Sequence, residues 1–186
     1  MKKKFIYLLT FIMLFICIIQ TGIVYGATSK SEDLDIYSDA AILMDFKTGT
    51  VLYSKNSEEK MYPASTTKIL TAIIALEKCN LNDIVTVSNS AISTIPAGYS
   101  SAYLSEGEEM SVNDLITVFL VHSANDAGYI LAEHISGSID EFAKLMNKKA
   151  LEIGCKNTHF TNPSGIHDEN HYTTANDLAL IARYCM

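Results

Sequence analysis

Positive charge is scarce in this sequence. Its 186 residues carry 14 Lys+Arg against 21 Asp+Glu, for a formal net charge of −7, and Arg183 is the single arginine. Proteins that bind nucleic acid neutralise its phosphates with clustered Lys and Arg. With this acidic balance we expect no nucleic acid among the partners.

Cysteine is scarce as well. Of four cysteines in total, only Cys79, Cys155 and Cys185 lie beyond the first 26 residues. Three widely spaced cysteines, odd in number, exclude a small disulfide scaffold. The hydrophobic share of 48% in turn excludes a disordered tail. A length of 186 residues suits one domain or a piece of a larger one.

The first 26 residues differ from the rest. Lys2–Lys4 precede an apolar run, Phe5–Ile19, that only Thr10 interrupts, and small or short residues at 24 and 26 suit cleavage after Gly26. This order is typical of a secretory signal peptide. A membrane anchor is the alternative, but the run is short for a hydrocarbon core that needs about 20 apolar residues. We predict a signal peptide over residues 1–26 and an exported domain over residues 27–186.

The remaining patterns predict many helices and few strands. Two β-type runs, Ala40–Phe46 and Thr50–Lys55, join through Lys47-Thr48-Gly49, a favourable hairpin turn. Ser65–Lys78 is apolar on most sides, which predicts a buried helix. Further elements are a strand at Ile84–Val87 and helices at Ser111–Val121, Asp126–Ile135, Ile139–Ile153 and Thr174–Cys185. The fold class is therefore mixed, α/β or α+β, with a sheet that is marginal on its own.

A nucleophile is predicted in Ser65-Thr66-Thr67-Lys68. A serine in the first turn of a buried helix lies at the positive helix end, which favours a developing alkoxide. Lys68 lies one turn later on the same face. If burial lowers its pKa, its neutral amine can accept the serine proton. The alternative is a helix N-cap followed by a surface lysine, and this reading suits Ser57-Glu58-Glu59-Lys60, which has the same spacing in a charged, solvated stretch.

A second polar motif, Ser123-Ala124-Asn125, lies at the break between two apolar helices. A hydroxyl there can relay a proton toward a leaving group, and the Asn125 amide can bind a substrate carbonyl. The pattern Ser-x-Asn is weak by itself, since it recurs at Ser54–Asn56 and Ser111–Asn113. Only the copy at 123–125 is flanked by apolar segments that predict an interior position.

In combination these motifs resemble the penicillin-recognising serine enzymes. The sequence is most similar to the low-molecular-weight penicillin-binding proteins, the serine-type D-alanyl-D-alanine carboxypeptidases of peptidase family S11. The resemblance covers the chain from about residue 35 to its end, and as an ordered set it is highly specific. It is carried by Ala41–Tyr53, Pro63–Lys68, Leu120–Ala127, Thr161–Ile166 and His171–Arg183.

The resemblance implies a β-lactamase/transpeptidase-like fold, with a helical cluster beside an antiparallel sheet of five strands. It also implies removal of the terminal D-alanine from peptidoglycan stem peptides, through an acyl-enzyme that β-lactams also form. By position Ser65 would be the nucleophile and Lys68 the general base. Ser123 would be the second catalytic serine, and Asn125 would bind the substrate amide. No metal or cofactor is implied, and the location is extracytoplasmic, at a bacterial cell surface.

The family's third motif, Lys-Thr-Gly, follows the other two and supplies a positive charge for the substrate carboxylate. Here Lys47-Thr48-Gly49 precedes Ser65 and lies in the first hairpin turn, so we assign it no catalytic role. The C-terminal strands of the expected sheet are missing after Arg183. The missing strands lead us to expect a C-terminally truncated chain. Loss of one oxyanion-hole donor alone costs about 10²–10³ in rate. We therefore expect the 186 residues by themselves to be inactive or barely folded.

Three other functions fit parts of the sequence. A class A β-lactamase would carry Ser-Asp-Asn and a glutamate-bearing loop, whereas this chain has Ala124 and offers only Glu169. A non-catalytic peptidoglycan-binding fragment would bind muropeptides without releasing D-alanine.

The sequence also departs from the family pattern at one position. Ser164 stands where relatives often have histidine, which leaves the role of that position in deacylation open.

The third alternative is a metallopeptidase. His167 and His171, together with Asp168, Glu169 and His159, provide zinc-type side chains. The spacing His-x-x-x-His suits zinc only on a helix, however, and this stretch follows Pro-Ser-Gly and is predicted to be a loop. We therefore expect solvated loop histidines here.

Overall fold

The computed structural model describes residues 35–186, so the predicted signal peptide lies outside the described residues. Within the unit Ser38–Met186, strands β1 (Ala41–Met44) and β2 (Val51–Lys55) pair antiparallel, with Leu43 opposite Tyr53. The Asp45 carboxylate accepts hydrogen bonds from the backbone N–H and the hydroxyl of Thr48, both at 2.7 Å. These bonds close the turn, and the predicted hairpin is confirmed.

A second two-stranded antiparallel sheet joins β3 (Ile84–Thr86) and β4 (Glu109–Ser111). Strand β3 was expected from its β-branched residues. Strand β4 was not, because Glu-Met-Ser has little intrinsic preference for a strand. Its conformation comes instead from pairing with a segment 25 residues earlier, where Ile84 lies opposite Ser111.

The described part of the chain contains six α-helices and one 3₁₀ turn. The 3₁₀ turn covers Ala64–Thr67. The helices are α1 (Lys68–Lys78), α2 (Asn89–Ser93), α3 (Val112–Val121), α4 (Asn125–Ser136), α5 (Ile139–Ile153) and α6 (Ala175–Cys185). All five predicted helices are confirmed, although the first begins with the 3₁₀ turn. The short helix α2 was not predicted.

Side-chain caps explain where several helices begin. Ser111 accepts a hydrogen bond from the Asp114 backbone N–H at 3.0 Å, and Thr174 accepts one from Asp177 at 3.1 Å. Each cap satisfies a backbone donor that has no partner inside the helix. At the other end, α4 stops at Gly137, whose φ of +79° suits glycine. These local signals account for the accuracy of the helix predictions.

The core has two apolar clusters, and α1 contributes to both. One cluster is built mainly on α3 and α4, and the other on α1 and α5. Helix α1 packs against α3, α4, α5 and α6. Gly128 lets α4 approach α3 closely, since a Cβ there would lie 2.3 Å from the Phe119 ring. Helix α1, which directly follows the turn that carries the candidate nucleophile, is therefore supported from several sides.

Two further observations concern the described residues 35–186. No helix among them combines the length and the apolar character that a membrane span requires. The three cysteines in this part of the chain, at 79, 155 and 185, are free thiols.

Candidate active site

Ser65 lies in the 3₁₀ turn immediately before α1, and its side chain is accessible to solvent. In a 3₁₀ turn residues i and i+3 lie directly above one another. This alignment brings Lys68 Nζ to 3.2 Å from Ser65 Oγ, and the amine donates a hydrogen bond to the hydroxyl. Ala64, just before the serine, has a φ of +46°, a strained left-handed conformation for a residue with a Cβ.

Lys68 is the buried member of this pair, with only 4% of its surface exposed. Besides Ser65, its amine donates to Asn125 Oδ1 and to the Ser164 carbonyl, both at 2.8 Å. These partners are neutral. Burial therefore dominates and lowers the pKa of Lys68 to about 8. With that pKa, about one lysine in ten is neutral at pH 7 and can accept a proton.

Ser123 lies in the three-residue break between α3 and α4, as predicted. Its Oγ is 3.4 Å from Ser65 Oγ, within hydrogen-bonding distance. The φ of Ser123 is +56°, a second left-handed conformation at a residue with a side chain. Strained backbone of this kind persists where the surrounding structure holds it, and it concentrates at functional sites.

Asn125 is buried, and both ends of its side-chain amide are engaged. Its Oδ1 accepts the bond from Lys68, while its Nδ2 donates to the Ser100 carbonyl at 2.9 Å. The backbone N–H of Asn125 donates to the same carbonyl at 2.9 Å. Asn125 thus joins the lysine to the loop at residues 96–105. One Nδ2 hydrogen is left over for a substrate.

Asp126 holds the same loop and was not identified from the sequence. Its carboxylate accepts bonds from the Ser101 hydroxyl at 2.7 Å and from the backbone N–H groups of Ala102 and Leu104. Burial by itself would raise the pKa of Asp126, but these hydrogen bonds outweigh it and keep the pKa below its usual value. One sequence pattern could have indicated Asp126: it is an acidic residue in the first turn of a helix, directly after the polar motif Ser123–Asn125.

The turn at residues 162–165 contacts both Lys68 and the turn that carries Ser65. Asn162 Oδ1 accepts backbone bonds from Ser164, Gly165 and Ile166. Ser164 presents its carbonyl to Lys68, and its side chain is fully buried. Gly165 has a φ of +83° and lies close to the 3₁₀ turn Ala64–Thr67, which we call the nucleophile turn. A Cβ at Gly165 would be 1.8 Å from the Ala64 carbonyl oxygen.

The histidines expected to be solvated do not all behave alike. His159 and His167 are exposed, as expected. For His171 the expectation is wrong, because the ring is 98% buried and burial lowers its pKa to about 4. Its Nδ1 accepts a bond from the Thr161 backbone N–H at 3.0 Å, and its Nε2 lies 2.9 Å from Thr67 Oγ1. Within residues 35–186 no group of three or more His, Cys, Asp or Glu side chains is arranged to hold a metal ion.

Two other predicted features lie in the hairpin region. Lys47–Gly49 forms the hairpin turn, as expected, where Arg183 of α6 donates to the carbonyls of Phe46 and Lys47 at 2.7 and 3.2 Å. In the second Ser-x-x-Lys stretch Lys60 is exposed, in agreement with the prediction. Ser57 is buried instead of solvated, because its backbone carbonyl accepts the Asn176 N–H and its hydroxyl pairs with Ser54 at 2.8 Å.

Comparisons with known proteins identify the family of this chain. The sequence model of the D-alanyl-D-alanine carboxypeptidase family, Peptidase_S11, matches residues 26–186. D-alanyl-D-alanine carboxypeptidase DacF of Bacillus subtilis is 43% identical over 159 residues, which cover 83% of this chain and 40% of that protein. D-alanyl-D-alanine carboxypeptidase DacA of Haemophilus influenzae is 37% identical over 165 residues, covering 86% and 41%.

Solved structures of D-alanyl-D-alanine carboxypeptidases and penicillin-binding proteins have a similar fold. The structure of D-alanyl-D-alanine carboxypeptidase DacD from Francisella tularensis matches with a TM-score of 0.75 at 39% identity, over 81% of this chain and 37% of that chain. Penicillin binding protein 6B from Escherichia coli matches with a TM-score of 0.76 at 34% identity, over 81% and 50%. These matches confirm the expected fold class. The chain spans about two fifths of the length of the curated relatives it matches, and it belongs to the D-alanyl-D-alanine carboxypeptidase family, peptidase family S11.

Proposed function

We propose that this chain carries the acylation site of an exported, serine-type D-Ala-D-Ala carboxypeptidase that acts on peptidoglycan stem peptides. Its family membership and the names of its relatives support the reaction class. The observation that carries the proposal is the buried Lys68 amine, 3.2 Å from the exposed Ser65 hydroxyl with a pKa lowered to about 8.

In the proposed reaction neutral Lys68 accepts the hydroxyl proton of Ser65. Ser65 Oγ then attacks the carbonyl carbon of the terminal D-Ala–D-Ala peptide bond. Ser123, whose Oγ is 3.4 Å from that of Ser65, passes a proton to the leaving amine, and D-alanine departs. Water then hydrolyses the ester on Ser65 and restores the enzyme. A β-lactam presents a similar carbonyl and acylates the same serine.

Asn125 takes part in two ways in this proposal. Its Oδ1 holds Lys68 beside Ser65, at 2.8 Å from Nζ. The remaining Nδ2 hydrogen is free to bind an amide carbonyl of the substrate. The group that binds the substrate carboxylate is assigned to no residue of this chain, because Lys-Thr-Gly occurs only once in the 186 residues, in the hairpin turn.

The test uses the complete product of the gene that encodes these residues. We expect it to release D-alanine from a peptide ending in D-Ala-D-Ala and to be labelled covalently by a fluorescent penicillin. Ser65→Ala should abolish both, because it removes the nucleophile. Ser57→Ala is the matched control, since Ser57 precedes a lysine at the same spacing, and it should leave both unchanged.

Three results would overturn the proposal, and each indicates a different function. Muropeptide binding without release of D-alanine would indicate the non-catalytic fragment. Rapid turnover of benzylpenicillin would indicate a β-lactamase, although Glu169 is exposed and Ala124 stands where that class has aspartate. Labelling that survives in Ser65→Ala would place the nucleophile elsewhere.

A further inference from the structure

The segment that carries the nucleophile, residues 61–67, is fixed at both ends by one other stretch of chain. At its start, Met61 and Thr173 exchange two backbone hydrogen bonds of 2.8 and 2.9 Å. At its end, Thr67 Oγ1 lies 2.9 Å from His171 Nε2. Residues 171 and 173 therefore clamp the segment that contains Ser65. The contact at Thr67 joins side chains 104 residues apart in sequence.

The hydrogen bonds of His171 determine which nitrogen carries the proton. The Thr161 backbone N–H can only donate, so Nδ1, at 3.0 Å from it, must present a lone pair. The single proton of the neutral ring is then on Nε2. The ring donates this proton to Thr67 Oγ1 and packs edge-on against Phe160, with 5.3 Å between ring centroids.

Protonation of the ring would break this arrangement. A second ring proton, on Nδ1, would point at the Thr161 N–H. The groups that contact Nδ1 are the Thr161 backbone N–H, the Thr161 hydroxyl and the Asn162 amide, and none of these three is acidic. The lowered pKa of His171, about 4, has burial as its main cause and agrees with a neutral ring at pH 7.

The nucleophile turn needs such external support. Ala64, immediately before Ser65, has a φ of +46°, and strained backbone relaxes unless its surroundings hold it. Thr67 is completely buried and ends the turn directly before Lys68. A fixed Thr67 side chain therefore fixes the backbone that carries both Ser65 and Lys68.

We propose that His171 and Thr67 form a buried positioning pair, in which the Nε2–H tautomer of His171 donates to Thr67 Oγ1 and holds the nucleophile turn. Neither side chain touches the substrate. The pair acts through the distance between Ser65 Oγ and Lys68 Nζ. This inference rests on the proposed function, because it assigns His171 a role in the acylation of Ser65.

The first experiment compares Thr67→Val with Thr67→Ser in the complete gene product. Valine keeps the branched shape of threonine and removes the acceptor, whereas serine keeps the hydroxyl. We expect the acylation rate with a fluorescent penicillin to fall about 10–100-fold in Thr67→Val, because small misplacements of reacting groups have effects of this size. Thr67→Ser should stay within about threefold of the wild type. Equal rates in the two variants would overturn the proposal.

A second variant tests the histidine itself. His171→Asn keeps an acceptor for the Thr161 N–H but is too short to reach Thr67. It should reproduce the loss seen in Thr67→Val, and the double variant should be no slower than either single one, since both remove the same bond. Additive losses would show that the two side chains act independently and would overturn the pair.

Two readouts separate positioning from stability and from the proposed function. If the pair only stabilises the fold, Thr67→Val lowers the melting temperature but leaves the acylation rate of the folded molecules unchanged, and the proposal fails. Imidazole ¹⁵N spectra at pH 7 should show the Nε2–H tautomer of His171, and a charged ring or the Nδ1–H tautomer contradicts it. If the wild type is not acylated, the proposed function fails, while these spectra still decide the state of the pair.

Discussion

Ser57 and Lys60 repeat the spacing of Ser65 and Lys68 eight residues earlier in the chain, but the two pairs have opposite environments. In the earlier pair the serine is buried and the lysine exposed, with Lys60 Nζ 4.1 Å from the centroid of the Tyr172 ring. In the later pair the serine is exposed and the lysine buried. A nucleophile must be accessible and its base must be desolvated, so only the later pair suits catalysis.

The difference originates outside both pairs. Lys68 is enclosed by Asn125 and Ser164, which lie 57 and 96 residues further along the chain. The ring of Phe119 adds an apolar wall, with its centroid 5.5 Å from Nζ. Spacing in sequence therefore sets which side chains can meet. The segments that pack over them decide whether the lysine is a base.

The largest expected effect is the loss of that base. Lys68→Ala should reduce the acylation rate with a fluorescent penicillin about 10³-fold, within the usual range for general-base catalysis. Lys60→Ala should leave the rate within about twofold of the wild type. A comparable loss in both variants would contradict the distinction between the two pairs.

A smaller effect follows from changing the charge beside Lys68. Asn125→Asp places a carboxylate where Oδ1 now accepts from Nζ at 2.8 Å. An adjacent negative charge favours the protonated amine and should raise the pKa of Lys68 by about 1–2 units. Less neutral base then remains at pH 7, so acylation slows about 10–100-fold and recovers as the pH rises. The measurement is the pH profile of the acylation rate.

Asn113→Asp is the matched control for this prediction. Asn113 is the exposed asparagine of another Ser-x-Asn pattern, and its replacement should leave the profile in place. An unshifted profile in Asn125→Asp would mean that Lys68 does not act as the base.

The third prediction concerns the turn that supports Ser65. Gly165→Ala would set a Cβ 1.8 Å from the Ala64 carbonyl oxygen, on a backbone with φ of +83°. We expect a loss of about 3 kcal/mol or more in the free energy of unfolding, measured in urea. Gly107→Ala has a similar φ of +82° in open space and should cost about 1 kcal/mol. Equal losses would show that Gly165 and Ala64 are not in close contact.

The fourth and smallest effect is a pH dependence of stability. His171 has a folded-state pKa of about 4, below its ordinary value of 6.5, because its ring is buried. Asp168 opposes this shift, and His159 and His167 add to it. The unfolded chain therefore binds more protons between these two values, so stability is complete above pH 6.5 and declines as the pH falls toward 4.

Between pH 7 and pH 5 we expect the contribution of His171 to the free energy of unfolding to fall by about 2 kcal/mol. His171→Asn should flatten the decline in unfolding free energy, and His167→Asn, at an exposed ring, should not. An equally steep decline in His171→Asn would contradict the burial of a neutral ring.

Much of the local structure could be predicted because its causes are local. The helix Ile139–Ile153 was predicted with its observed bounds, since Ser138 caps one end and Gly154 terminates the other. The hairpin turn at 47–49 follows from its own residues. Strand β4 and helix α2 were missed, because a three-residue strand and a five-residue helix carry too little pattern and depend on their neighbours.

For the site, the amino-acid sequence by itself determined which chemical groups are present and which neighbouring side chains can meet. A serine and a lysine three residues apart at a helix start must lie on one face, and Ser123 with Asn125 must follow at a helix break. The sequence also determined the family, through the order of its motifs. All of these follow from residue type and short-range geometry.

Only the tertiary structure decided which lysine is desolvated by burial and which histidine is buried. Lys68 and Lys60 have the same spacing to a serine, and His171 lies in the same loop as the exposed His167. Their environments come from segments that are distant in sequence, such as Ser164 over Lys68 and Thr67 over His171. Burial is a property of the packed chain, and because burial sets these pKa values, the chemistry of the site emerges only when the chain is folded.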